Sequence, residues 1–152
     1  MDRYRKIYRK EGKRMKLTKE QEELKKKIGE VSGFVLNNGY RLVKLEDNYC
    51  EMEADVTEIA MNPFGMAHGG FIFGLADTAA GVAAMNDDKR YAVTSSSHIQ
   101  YLKAASCKKI IAVAKCIKAG RTISVYDVEV FNENNELLTK ASVEYFYLNK
   151  NV

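Results

Sequence analysis

Residues 62–85 read NPFGMAHGGFIFGLADTAAGVAAM. The first part is a glycine-rich loop that holds the chain's one proline and His68, which is one of its two histidines. The second part, Gly69–Met85, carries one charged side chain, Asp77. A helix that is apolar on every side is a buried helix. We therefore predict a central helix over Gly69–Met85, with the other elements wrapped round it.

Asp77 is the most informative residue of this helix. A carboxylate buried without a partner costs several kcal/mol, so Asp77 needs either hydrogen-bond donors or a chemical function. The structural alternative is an Asp bonded to backbone groups or to a hydroxyl such as that of Thr78. The charge near the middle of the helix, and the helix's short length, both argue against a membrane span.

The loop before the helix favours a chemical function. A loop that ends in His68, Gly69 and Gly70 and opens a helix directs free backbone N–H groups at one point, with the positive end of the helix dipole behind them. Glycines let a ligand approach that backbone closely. Such a site suits a carbonyl oxygen that gains negative charge as its carbon is attacked.

Two short motifs carry a resemblance to a known family: Asn62-x-x-Gly65-x-x-His68-Gly69-Gly70 and Ala76-Asp77-Thr78. Together they resemble the signature of the hotdog-fold acyl-CoA thioesterases of the phenylacetate-degradation type. The resemblance extends over residues 33–148. It implies an α+β hotdog fold, in which a long central helix is wrapped by a curved antiparallel sheet of five to six strands. We also expect a short N-terminal helix before the sheet.

The resemblance assigns roles to five residues of these motifs. It implies that Asp77 is the catalytic carboxylate, acting as nucleophile or general base, and that the Gly69 N–H polarises the thioester carbonyl. Asn62 would help to place the attacking water, and His68 would order the loop. Gly70 would lie beside them in contact with the substrate.

A run of hydroxyl side chains begins the strand after the helix. Thr94 matches the position at which related thioesterases place a Ser or Thr beside the catalytic carboxylate. Its neighbours Ser95 and Ser96 could equally fill that role and are expected to contact the substrate. Ordinary strand hydroxyls are the alternative.

The segment 118–122 resembles the family's turn at the coenzyme A phosphates, which implies that Gly120, Arg121 and Thr122 bind coenzyme A. Gly120 would expose backbone, and Arg121 offers a charged fork for phosphate. A solvated hairpin turn is the alternative.

Helix geometry constrains how Gly69 and Asp77 could act on one substrate. Eight residues separate them, which is about 12 Å of helix rise. General-base or nucleophilic work needs contact at roughly 3 Å. Either Asp77 is not catalytic, or it acts on a substrate held by a second copy of the loop. The family takes the second course, so we expect a homodimer with two equivalent shared sites, and dimers that pair into a homotetramer.

The composition bounds the remaining possibilities. The chain has 152 residues, of which 46% are hydrophobic, enough for one domain with its own core. Its three cysteines, Cys50, Cys107 and Cys116, form no Cys-x-x-Cys pair, and no apolar stretch follows the charged N-terminus. We therefore expect a cytoplasmic protein. Two histidines in the whole chain argue against a zinc site, and we expect no metal or cofactor besides the acyl-CoA substrate.

The charge is concentrated at the N-terminus. Residues 1–27 hold 12 Lys and Arg against 5 Asp and Glu, whereas residues 28–152 hold 12 against 15. We interpret residues 1–17 as a basic extension that is solvated and partly disordered, ahead of a thioesterase domain at 18–150. Contact with nucleic acid or an anionic membrane is the functional alternative, which we do not expect.

The remaining elements follow from periodicity. Thr18 and Gln21 form a capping box for a short helix, with an apolar stripe at Leu24, Ile28 and Val31. The period then changes to two, which predicts strand segments at 34–37, 40–45, 49–56, 91–103, 108–118, 122–132 and 136–148. The short connections between the last segments predict an antiparallel meander. Strands, a buried helix and further strands form an α+β order.

We therefore expect an acyl-CoA thioesterase that hydrolyses an aryl- or fatty-acyl-CoA to the free acid and coenzyme A. Two alternatives stay open. A hydratase or dehydratase on the same fold would need an acid/base pair that includes a histidine inside the site. A non-catalytic acyl-CoA-binding regulator would use the same pocket and place the basic extension on DNA.

Overall fold

The computed structural model describes residues 32–85 and 91–148 and, before them, four exposed helical residues: Lys19, Glu22, Glu23 and Lys26. These four lie in the segment predicted to form the N-terminal helix. The capping box and apolar stripe of that helix, the basic extension at 1–17, the loop at 86–90 and the end of the predicted domain at 149–150 lie outside the described residues.

The described elements follow one another in an α+β order, and they are α1 (Gly33–Asn37), β1 (Arg41–Glu46), β2 (Tyr49–Asp55), a 3-10 helix (Glu58–Ala60), α2 (Gly69–Met85), β3 (Tyr91–Tyr101), β4 (Lys109–Lys118), β5 (Ile123–Asn132) and β6 (Leu137–Leu148). One long helix thus lies against one six-stranded sheet, as the hotdog architecture predicted. The central helix has the bounds expected from its apolar run. No helix in the described part of the chain is both long and apolar enough to cross a membrane.

The strands pair antiparallel in the order β1-β2-β4-β5-β6-β3. Short turns join β4, β5 and β6, so the predicted meander is confirmed for these three. β3 is not beside β4, however, because β2 pairs with β4 and β3 pairs with β6 at the far edge. Helix α2 follows β2 and precedes β3, so the chain crosses the sheet in this region.

Residues 34–37 are helical, so the strand predicted there is wrong. Ser32 is the N-cap of α1, and its side-chain oxygen accepts a hydrogen bond from the Val35 N–H at 3.3 Å. Gly39, with φ at +64°, ends the turn, and glycine adopts that conformation at little cost. A run of four residues with three apolar side chains cannot distinguish a strand from one helical turn, and here the capping residues decide it.

Helix α2 is buried along most of its length, as its apolar sequence predicted. It packs against the inner face of the sheet, whose fully buried side chains include Met52, Ile110, Tyr126, Val128 and Val143. The helix has almost no polar side chains, and among the described residues four tyrosine hydroxyls donate hydrogen bonds to its backbone carbonyls instead. These bonds run from Tyr101 to Gly69 (2.8 Å), from Tyr40 to Phe71 (2.7 Å), from Tyr145 to Asp77 (2.6 Å) and from Tyr147 to Ala84 (3.3 Å).

Two glycines inside α2 make room for two of these tyrosines. A Cβ at Gly74 would lie 2.7 Å from the Tyr40 hydroxyl oxygen, and one at Gly81 would lie 2.8 Å from the Tyr145 hydroxyl oxygen. Glycine costs a helix about 1 kcal/mol relative to alanine. The close approach of each hydroxyl to the helix backbone explains why glycine stands at both positions.

Candidate active site

Asp77 lies in the middle of α2, half-buried, and two side-chain hydroxyls of the sheet contact its carboxylate. The Thr94 hydroxyl donates to Asp77 Oδ1 at 2.8 Å. The Tyr145 hydroxyl lies 3.2 Å from the same Oδ1 and 2.6 Å from the Asp77 backbone oxygen. Thr78 is not a partner of the carboxylate, because its hydroxyl donates to the Gly74 carbonyl at 2.6 Å.

A β-bulge determines which hydroxyl reaches Asp77. Thr94 pairs with Tyr145 and Ser96 pairs with Glu144, so Ser95 is the extra residue of β3. The Ser95 hydroxyl donates to Glu144 Oε1 at 2.7 Å, and Ser96 shares the face of Glu144, away from the helix. Of the three predicted hydroxyl residues, the structure therefore brings Thr94 alone to the carboxylate.

Tyr145 was not expected from the sequence. Its side chain is buried, and this burial, together with the nearby Asp77 carboxylate, raises its pKa well above the ordinary value. The hydroxyl therefore stays protonated and remains a donor at neutral pH. Alternation along 136–148 could place Tyr145 on the same face as Val143 and Tyr147, but it could not indicate which helix residue that face meets.

Asn62 organises its own loop. Its side-chain oxygen accepts hydrogen bonds from the Phe64 N–H at 2.9 Å and the Met66 N–H at 3.2 Å. Its backbone N–H donates to the Met66 carbonyl at 2.8 Å. The side-chain amide nitrogen has no acceptor within 32–85 and 91–148. That N–H group is the part of Asn62 that could hold a water.

His68 caps helix α2. Its Nδ1 accepts the Gly70 N–H at 2.9 Å, and its carbonyl oxygen accepts the N–H groups of Phe71 (3.0 Å) and Ile72 (3.1 Å). The N–H groups around Gly69 are thus occupied, whereas no acceptor for the Gly69 N–H lies among the described residues. His68 therefore leaves one free donor at the positive end of the helix dipole.

The structure does not bring all the predicted site residues together in one chain. Gly69 and Asp77 are separated by about 12 Å of helix rise. The turn at 119–122 lies near the other end of the helix: the Thr122 carbonyl accepts from the Tyr147 N–H, and the Tyr147 hydroxyl reaches Ala84. That end is about 22 Å of rise from Gly69.

The turn itself depends on glycine. A side chain at Gly120 would collide with the carbonyl oxygen of Ile123, and the Gly120 N–H donates to the Ser124 hydroxyl at 3.2 Å. Arg121 and Thr122 are exposed beside it. No cluster of three or more His, Cys, Asp or Glu side chains that could hold a metal ion occurs in the part of the chain that the structure describes.

Residues 64–139 match the thioesterase superfamily. This region includes the end of the glycine-rich loop, all of α2 and strands β3 to β5. A protein from Archaeoglobus fulgidus is 32% identical over 111 residues, which are 72% of this chain and 71% of that protein. The acyl-coenzyme A thioesterase PaaI of Escherichia coli is 28% identical over 99 residues, covering 64% of this chain and 70% of PaaI.

Solved structures share the same architecture. A Streptococcus mutans protein, solved bound to acetyl CoA, matches with a TM-score of 0.72 and 30% identity, over 80% of this chain and 95% of that one. The E. coli PaaI protein matches with a TM-score of 0.81 and 21% identity, over 88% of this chain and 97% of that one. The second likeness confirms the predicted hotdog fold.

Proposed function

The chain belongs to the thioesterase superfamily, and from this premise we propose that it is an acyl-CoA thioesterase that hydrolyses an aryl- or fatty-acyl-CoA to the free acid and coenzyme A. The observation that carries the proposal is the free N–H of Gly69 at the start of a buried helix. The His68 ring accepts the neighbouring Gly70 N–H, which leaves the Gly69 N–H as the free donor. This N–H and the positive end of the helix dipole are directed at one point. A thioester oxygen placed there would gain stabilisation as it becomes negative.

The Asp77 carboxylate supplies the second half of the reaction. In one course it attacks the carbonyl carbon, which expels coenzyme A as thiolate and leaves a mixed anhydride that water cleaves. In the other course it takes a proton from a water that adds to the carbonyl, and the proton passes to the departing thiolate. The side-chain N–H group of Asn62 would help to hold that water.

We propose a homodimer, because one chain cannot place Asp77 against a thioester held at its own Gly69. The edge of the sheet supports this assembly. β3 has no partner strand on its outer side among the described strands, and its exposed side chains include Tyr91 and Val93. Two copies joined at this edge would cover an exposed strand, and each site would combine the loop of one subunit with Asp77 of the other. Dimers would pair further into a tetramer.

We propose that the turn at 119–122 binds the phosphates of coenzyme A. The exposed Arg121, a residue that offers a charged fork for phosphate, suits an anionic ligand. The acetyl CoA bound to the Streptococcus mutans relative supports a coenzyme A ligand for this chain. We expect the protein to work in the cytoplasm.

The test is release of free thiol from a panel of aryl-, short- and long-chain acyl-CoAs, comparing the wild type with Asp77→Asn. We expect release by the wild type and a loss of about 100-fold or more in the variant. Asp127→Asn is the matched control, since Asp127 is on β5, away from the site, with its side chain 41% exposed and 3.8 Å from the Lys140 ammonium.

Full thiol release by Asp77→Asn would exclude Asp77 as the catalytic carboxylate. Tight binding of acyl-CoA without any release by the wild type would instead favour the regulator. The panel also identifies the acyl class.

A further inference from the structure

The two oxygens of the Asp77 carboxylate have different surroundings. Both hydroxyl contacts of the carboxylate are to Oδ1. Thr94 donates to it at 2.8 Å, and Tyr145, whose one proton is shared with the Asp77 backbone oxygen at 2.6 Å, lies 3.2 Å from it. Oδ2 has no hydrogen-bond partner within the described ranges 32–85 and 91–148. Oδ1 is engaged by one full hydrogen bond and a share of a second, whereas Oδ2 keeps its lone pairs available for a proton or a carbonyl carbon.

Tyr145 reaches Asp77 in a way that restricts the orientation of the side chain. One hydroxyl contacts both the backbone oxygen of Asp77, at 2.6 Å, and its carboxylate Oδ1, at 3.2 Å. The contact therefore restricts the orientation of the Asp77 carboxylate relative to the backbone of helix α2. Thr94 and Tyr145 are cross-strand partners on β3 and β6, so the two donors approach Asp77 side by side.

The Tyr145 ring itself has little freedom to move. The residue is 4% exposed, and its ring packs edge-on against Tyr126 with 6.1 Å between the ring centroids. Gly81 lies against its hydroxyl, so the ring can reach the helix backbone there. A donor held this firmly fixes its acceptor more effectively than the exposed Thr94 does alone.

We propose that Tyr145 is a positioning residue that, with Thr94, holds Asp77 by Oδ1 and presents Oδ2 as the oxygen that attacks the thioester or takes the proton from water. The inference rests on the proposed thioesterase function. It leaves the choice between nucleophile and general base open, because both courses use the same oxygen.

Tyr40 offers a closely matched control for Tyr145. Its hydroxyl donates to the Phe71 carbonyl of the same helix at 2.7 Å, the residue is 5% exposed, and a Cβ at Gly74 would lie 2.7 Å from its hydroxyl oxygen. Tyr40→Phe therefore removes a similar buried bond to α2 without removing a donor to Asp77.

The experiment compares kcat, KM and the unfolding temperature of Tyr145→Phe and Tyr40→Phe in the full chain, with the best acyl-CoA from the panel. We expect Tyr145→Phe to lower kcat about tenfold with KM within about twofold, and both variants to unfold at a similarly reduced temperature. Equal kcat values for the two variants would overturn the positioning role, as would a Tyr145→Phe effect confined to KM.

A second pair of variants covers the case in which Tyr145→Phe does not fold. Gly81→Ala pushes a Cβ against the Tyr145 hydroxyl, and Gly74→Ala pushes one against the Tyr40 hydroxyl and the Phe34 ring. We expect a lower kcat from Gly81→Ala and an unchanged kcat from Gly74→Ala. Equal kcat values would contradict the proposal. A wild type that releases no thiol would overturn both this inference and the proposed function, whereas an active wild type with an unaffected Tyr145→Phe would overturn this inference alone.

Discussion

At the residue scale, the proposed site depends most on a single backbone N–H, that of Gly69. Gly69 opens helix α2, its neighbour Gly70 already donates to the ring of His68, and the next two N–H groups share the His68 carbonyl. The negative charge that develops on a thioester oxygen would therefore be stabilised by one donor, the Gly69 N–H, and by the helix dipole. Loss of one such donor in other hydrolases costs about 100-fold to 1,000-fold in kcat.

Gly69→Pro isolates that donor. Proline has no N–H and is well suited to the first position of a helix. Gly69→Ala is the control, because it also adds a Cβ, 3.2 Å from the Tyr101 ring and hydroxyl, but keeps the N–H. We expect kcat to fall about 100-fold or more in Gly69→Pro and to stay near the wild-type value in Gly69→Ala, with the helical circular dichroism of both preserved. Equal losses in the two variants would point to crowding against Tyr101.

Local contacts of the site could be predicted from the sequence, whereas the contact with Tyr145 could not. Gly69, His68 and Asp77 lie in one continuous stretch, so helix geometry and capping relate them without a tertiary structure. Tyr145 is 68 residues from Asp77. Its contact depends on which strand crosses the helix and in which register, and neither follows from local periodicity.

At the element scale, the bulge at Ser95 in β3 determines which side chains of the strand face helix α2. A strand's side chains alternate between faces, so one extra residue reverses the facing of everything beyond it. The Ser95 hydroxyl donates to Glu144 Oε1 at 2.7 Å and lies 3.3 Å from the Glu144 carbonyl oxygen. Glu144 thus holds the bulge in place, and the bulge leaves Thr94 facing Asp77.

Glu144→Ala should weaken the bulge and, through Thr94, the site. We expect kcat to fall severalfold, because the Thr94 hydroxyl would spend less time on Asp77 Oδ1. Glu144→Gln keeps an oxygen that accepts the Ser95 hydrogen bond and should retain the wild-type kcat. The measurement is kcat and KM for both variants on one acyl-CoA. If alanine and glutamine variants have the same kcat, the Ser95 bond does not position Thr94.

Elements differ in how well the sequence predicts them. Helix α2 has the predicted bounds because a long apolar run with one charge admits few alternatives. Residues 34–37 are too short for periodicity to decide, and the Ser32 cap makes them helical. The short turns identified β4, β5 and β6 as neighbours, but β3 follows the helix and nothing local indicates that it joins β6 at the edge.

At the scale of the whole molecule, the proposed reaction would need a second copy of the chain. The Gly69 N–H and the Asp77 carboxylate are separated by about 12 Å of rise along one helix. Because α2 is continuous and mostly buried, it cannot bend to bring the two groups together. The exposed edge strand β3 carries Thr94, so an assembly through that edge would place the partner's loop near the carboxylate. The twofold symmetry of such a dimer would create two equivalent sites.

Mixed dimers of two inactive variants test this arrangement directly. Asp77→Asn keeps the loop and loses the carboxylate, whereas Gly69→Pro keeps the carboxylate and loses the donor. In a mixed dimer one site would have both defects and the other site neither. Equal amounts of the two chains, unfolded and refolded together, should therefore recover about a quarter of the wild-type activity, since about half of the dimers are mixed and each has one intact site.

The control for this experiment mixes Asp77→Asn with the double variant that carries Asp77→Asn and Gly69→Pro. That mixture contains no intact pairing of loop and carboxylate, so it should stay inactive. Mixed dimers purified with two affinity tags should have about half the activity of the wild-type dimer. If they are as inactive as their parents, the Gly69 loop and Asp77 of different subunits do not serve one substrate. A site shared across the dimer would then be excluded, and Asp77 would have to act within its own chain or not at all.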